Sequence, residues 1–146
     1  MTKRIGAAAI ALVVLASACS SSSESATACD AVPTSIAAEL LGSDVVAEPF
    51  QLDQLDECVW RSPENPESEM VLRVEVVPEP ETFVEHSIEA TTPERVRTLE
   101  LGDQAVLFED EALLARLDDR VFLVTGTPAM NDLIPVLESA VDAFAN

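Results

Sequence analysis

The side chains able to do chemistry fall into three groups: 27 carboxylates, a single histidine (His86), and three cysteines, Cys19, Cys29 and Cys58. His86 has Glu85 beside it and Glu89 one turn further on. Imidazole and carboxylate together are ligands for zinc and other transition metals. One histidine with no second candidate gives none of the usual zinc sites, and a solvated helix face accounts for the same three residues. A Ser-His-Asp arrangement needs His86 beside an activated serine, and no Gly-x-Ser-x-Gly elbow marks one. Carboxylate pairs of the kind that hydrolyse glycosides are available in number, yet no pair is singled out. The chain has one tryptophan and no tyrosine with which to build a sugar platform, and Trp60 reads as core. The acidic stretches at residues 64–69 and 109–111 could hold calcium loosely, but neither follows the EF-hand spacing. No glycine-rich phosphate loop is present among only four glycines. No metal and no cofactor is implied.

Cys19 has the most informative surroundings. Lys3 and Arg4 are followed by an uncharged apolar run over residues 5–15, then by Ala16-Ser17-Ala18 directly before the cysteine. The run has the length of a signal-peptide core and falls short of the ~20 apolar residues of a spanning helix. Small residues followed at once by Cys resemble a lipobox, the cleavage and diacylation signal of bacterial lipoproteins. Leu15 lies four places before the Cys, and Ala16 stands where leucine is usual. The alternative is an ordinary secretory signal cut near Ala18. Residues 20–27 are serine-rich and polar, the composition of a flexible linker. Two acyl chains would hold a domain that one chain binds only marginally. The expected organisation is a signal peptide at 1–18, a lipidated linker at 19–28 and one extracytoplasmic domain at 29–146, held at the outer face of the cell membrane.

Removing residues 1–18 takes away Lys3 and Arg4 and leaves six basic residues against 27 acids, a formal charge of −21. No lysine remains. Such a chain repels nucleic acid, whose binding depends on cationic contacts to phosphate. It also avoids anionic lipid head groups, so the acyl anchor has to supply the membrane attachment. Its field attracts cations or basic partners. A plain solubilising surface explains the charge equally, and so does a salt-adapted source. With Cys19 assigned to lipid, Cys29 and Cys58 remain as an even pair in an oxidising compartment and are expected to form a disulfide. Their spacing is not that of a Cys-x-x-Cys redox motif.

These residues must be positioned by a small set of elements. Residues 33–41 read as a helix closed by Gly42, Val45-Val46 as an edge strand, and residues 57–61 as a strand placing Cys58 and Trp60 on one face. The proline-bearing stretch 62–69 reads as a long exposed turn. Residues 70–77 form the clearest strand, with Met70, Leu72, Val74 and Val76 on one side. A helix over 81–90, strands at 95–99 and 105–108, and a hairpin of 112–117 with 121–125 across Asp118-Asp119 follow. Residues 121–124 are apolar on both faces, as in a central strand. The final helix, 132–144, is amphipathic, with Asp132 as its expected cap. The expected fold class is α+β: a central antiparallel sheet of about five to seven strands packed by helices.

The assembled pattern resembles a family of small uncharacterised lipoproteins of actinobacteria, including mycobacteria. Its elements here are Cys19, Cys29, Leu41-Gly42, Cys58-Val59-Trp60, Leu101-Gly102-Asp103-Gln104-Ala105 and the last helix. The resemblance implies a cell-envelope location and assigns no catalytic residue. A looser likeness to the Mog1/PsbP-like group, with its antiparallel sheet between helices, is analogy of fold only. The functional expectation is a lipid-anchored, non-catalytic binding, sensing or assembly module, with the membrane and an envelope protein or lipid as partners. The alternative is a carboxylate-dependent cell-wall hydrolase.

Overall fold

The computed structural model describes residues 26–146; Cys19 and the signal-like segment lie outside the described residues. Chain order is α1 (Thr34–Leu41), β1 (Val46–Leu52), β2 (Leu55–Ser62), β3 (Asn65–Val76), α2 (Pro80–Glu89), β4 (Val96–Leu99), β5 (Gln104–Phe108), β6 (Ala112–Leu117), β7 (Arg120–Gly126) and α3 (Ile134–Ala145). The seven strands make one antiparallel sheet in the order β1-β2-β3-β7-β6-β5-β4. Two meanders, β1 to β3 and β4 to β7, are thus joined where β3 pairs with β7. This is the α+β class with an antiparallel sheet that the element pattern implies.

The path of the chain sets the layers. Helices α1 and α3 lie on the inner face, α1 against β2 and β3 and α3 against β6 and β7. Cys58, Trp60, Met70, Leu72, Phe122, Val124 and Leu113 meet the α1 and α3 residues Ala37, Leu41, Leu137 and Val141 there in one core. The connection from β3 to β4 must cross the outer face to reach the far edge, and α2 is that crossover. Val84 of α2 is fully buried against Val106, Phe108, Leu114 and Val121. Strand β7 is therefore covered on both faces, which is why residues 121–124 carry no polar alternation.

Turns account for part of the acidity. Among the described residues, the four non-glycine residues with positive φ are all aspartates: Asp44, Asp53, Asp110 and Asp118. Aspartate tolerates the left-handed region better than most side chains. Asp53, Asp110 and Asp118 turn the β1–β2, β5–β6 and β6–β7 hairpins, so a chain with few glycines turns on carboxylates instead. Gly102 is different. At φ 59° a Cβ there would stand 2.6 Å from the Arg116 carbonyl oxygen. Its neighbour Asp103 accepts the Asp118 N–H at 2.8 Å, so the Gly-Asp pair pins the β6–β7 turn.

Three expectations need correction. The edge strand is not Val45-Val46 but the whole of Val46–Leu52, with Pro49 inside it. Proline is tolerated because β1 lies at the sheet edge, where a missing N–H faces solvent. Residues 62–69 are not a long turn: β2 turns into β3 across Pro63-Glu64, and β3 begins at Asn65. Pro66 falls in the irregular stretch between the pairs Arg61↔Glu69 and Ser62↔Asn65, where the ladder already shifts register. Asp132 does not cap the last helix. It lies in a 3-10 turn, Met130–Leu133, that runs directly into α3. The i→i+3 bonds of that turn satisfy N–H groups that a cap would otherwise serve.

Candidate functional site

The disulfide is formed. Cys29 and Cys58 are bonded with a Cα–Cα distance of 5.0 Å, tying the segment before α1 to β2. Trp60, two residues beyond Cys58 on the same face, is 1% exposed in the shared inner core. The same segment is held by Asp56 Oδ2, which accepts the Ala28 N–H at 2.8 Å, and by Ser139 Oγ, which donates to the Ala31 carbonyl at 2.8 Å. The pair has a structural position inside the protein.

His86 lies exposed on α2 with Glu85 and Glu89, also exposed. Among the described residues no group of three or more histidine, cysteine, aspartate or glutamate side chains is gathered as a metal ion requires. The two acidic stretches have other tasks. Glu111 pairs with Arg95 at 3.3 Å, Glu69 with Arg61 at 3.1 Å, and Glu64 accepts from Ser43 Oγ at 3.1 Å. Arg97, on the short edge strand β4, forms no ion pair among the described residues and donates to Asn131 Oδ1.

Two features of the surface stand out. The first is a groove of about 420 Å³ on the inner side, between the β1–β2 turn and the end of α3. Val74 and Val76 line it, with Asp53 and Asp56 from the hairpin and Arg120 and Phe144 opposite. The Arg120 guanidinium stands over the Phe144 ring at 5.7 Å, and that ring meets Phe122 edge-on at 5.4 Å. Asp53 and Asp56 are the carboxylates this groove brings together, and Asp56 is committed to the Ala28 N–H.

The second feature is the outer face of β1, β2 and β3, which α2 does not reach. The register places four rows across it: Val46-Arg61-Glu69, Glu48-Val59-Val71, Phe50-Glu57-Arg73 and Leu52-Leu55-Glu75. Of the four large hydrophobic side chains that stand exposed among the described residues, three are here: Val46 at 51%, Phe50 at 52% and Leu52 at 59%. Leu55, Val59 and Val71 continue the patch half-buried. Both arginines of the face are held by its own glutamates. Arg61 meets Glu48 at 2.7 Å and Glu69 at 3.1 Å, and Arg73 meets Glu57 at 2.8 Å. Exposed pairs of this kind contribute about 0–1 kcal/mol each; their effect here is to consume the local cations. Sequence reasoning missed this face, although Val46, Glu48, Phe50 and Leu52 alternate with Ala47, Pro49 and Gln51 at strand period.

Fold and surface together define an α+β protein whose sheet is covered on one face and half-covered on the other. Comparison with protein-family models, with curated proteins and with solved structures finds no match to this chain.

Proposed function

We propose that the protein is a lipid-anchored envelope lipoprotein that acts by binding, with its domain displayed beyond the membrane on the serine-rich linker. The observation that carries the binding role is the outer face of β1–β3. Exposed large apolar side chains gathered on one face of a small acidic domain mark an interaction site more often than a folding requirement. The anchoring role is supported by the sequence around Cys19, where a charged start, an apolar run and small residues precede the cysteine. The motif pattern shared with small actinobacterial lipoproteins supports the same location. The non-catalytic character is part of the proposal, and it is consistent with a disulfide, turn aspartates and ion-paired glutamates that all have structural work.

The test of the anchor is Cys19→Ala in the full chain. The variant is expected to leave the membrane fraction or to accumulate as uncleaved precursor, with no incorporation of labelled fatty acid. Normal acyl labelling of the variant would refute the assignment. A second reading, a carboxylate-dependent cell-wall hydrolase, is favoured by one observation: Asp53 and Asp56 share the groove beside Arg120. It requires that the wild-type chain release sugar or peptide fragments from purified cell wall, and that Asp53→Asn abolish the release.

A further inference from the structure

We infer that the outer face of β1–β3 docks a cationic amphipathic protein segment, one that alternates apolar side chains with lysine or arginine. The inference deepens the reading of the chain as a binding module and rests on it.

The exposed apolar contacts are Val46, Phe50 and Leu52 along the edge strand, each about half exposed. They project from the same face of β1, because alternate residues of a strand share a side. The charge of the face follows from the ion pairs. Arg61 and Arg73 are spoken for by Glu48, Glu69 and Glu57, so an incoming segment meets no free cation on this face. Glu75 forms no ion pair among the described residues, so four glutamates face two arginines and the face carries net negative charge. The whole chain carries −19 before any processing, and a field of that sign raises the encounter rate with cationic partners.

The same charge argues against the other occupants. A second copy brings the same carboxylates and an equal net charge to a face-to-face contact. An anionic bilayer surface meets the same repulsion. Addition of a strand to the β1 edge is obstructed at Pro49, which has no N–H to offer an incoming backbone. The partner therefore packs on the face and reads its side chains.

The experiment uses the full chain carrying Cys19→Ala, which removes the proposed anchor without altering the described residues. The probe is a synthetic peptide alternating leucine and lysine; oligolysine of equal length and an alternating leucine–glutamate peptide are the controls. Binding is followed by titration, and amide shifts in an NMR spectrum map the site. The expected result is shifts confined to β1, β2 and β3, with no binding of the leucine–glutamate peptide and weaker, diffuse binding of oligolysine. The variant Val46→Ser/Phe50→Ser/Leu52→Ser should weaken the leucine–lysine peptide by about tenfold or more, as loss of an apolar anchor does. If that variant does not fold, Glu48→Gln/Glu75→Gln supplies the second test and should weaken binding a few-fold, on the order expected for exposed charges. The proposal is overturned by no binding, by equal affinity for oligolysine, by shifts centred elsewhere or by unaltered affinity in the variants. Self-association of the chain without peptide, or binding to phosphatidylglycerol vesicles, overturns it in favour of the second copy or the lipid surface. Each failure leaves the anchor reading intact, because that reading is scored by acyl labelling of Cys19.

Discussion

The two halves of the sheet share an inner core and part company on the outer side. Over β5, β6 and β7 the crossover helix α2 lays Val84 and Ile88 onto Val106, Leu114, Val121 and Leu123, and the residues it covers are apolar. Over the outer side of β1, β2 and β3 no helix of the described residues passes, and the outer residues there alternate apolar side chains with ion-paired glutamate and arginine. Coverage thus follows topology. A helix that links β3 to the far edge strand can shield only the strands it crosses. The uncovered half keeps its charges because they are solvated, and its exposed valine, phenylalanine and leucine stand out because folding does not bury them.

Substitutions can break this comparison if it is wrong. The largest effect is expected at Trp60, which belongs to the inner core under the uncovered half. Trp60→Ala should cost about 3–5 kcal/mol as a large cavity opens beside the disulfide. Chemical denaturation measures it, and a small loss would mean that the inner core is not shared between the halves. Leu114→Ala, on the covered outer side, should cost about 2–5 kcal/mol. An effect no larger than that of a surface change would show that α2 is not packed where the fold places it. Cys58→Ser should lower stability by about 2–4 kcal/mol, since the bond closes a separation of 29 residues; an unchanged melting temperature would argue against the bond. The smallest effect is expected on the uncovered side. Phe50→Ser should change stability by less than about 1 kcal/mol, in the range of ordinary surface substitutions. A loss comparable to that of Leu114→Ala would erase the distinction between the halves.

Much of the frame was legible in the sequence. The alternation Met70, Leu72, Val74, Val76 specifies β3 and its buried side. The Cys58-Val59-Trp60 triplet puts Cys58 and Trp60 inward by the strand period alone. The unbroken apolar run at 121–124 announces β7 as central. The Gly102-Asp103 pair is readable as a turn, and the structure adds why: the glycine backbone meets the Arg116 carbonyl and the aspartate holds the next hairpin. What was not legible has a common cause. Pro49 and Pro66 argue locally against strands, and only the sheet edge and the register shift make them acceptable. Asp132 has the chemistry of a cap, but a 3-10 turn occupies the place a cap would serve. The alternation of Val46, Glu48, Phe50 and Leu52 was readable, but its exposure was not, because that depends on the route α2 takes between β3 and β4. Phe50 and Leu52 look like core residues until that route is known.

The central claim, that a tethered domain uses this uncovered face for contact, is tested most directly in intact cells. A photo-reactive amino acid is placed at position 50 of the full chain, and a second chain carries it at Glu85 on the exposed side of α2. The expected result is a discrete crosslinked product from position 50, lost when Val46→Ser and Leu52→Ser are added, and none from position 85. Equal crosslinking from both positions, or none from position 50 with the chain at the membrane, would contradict the claim.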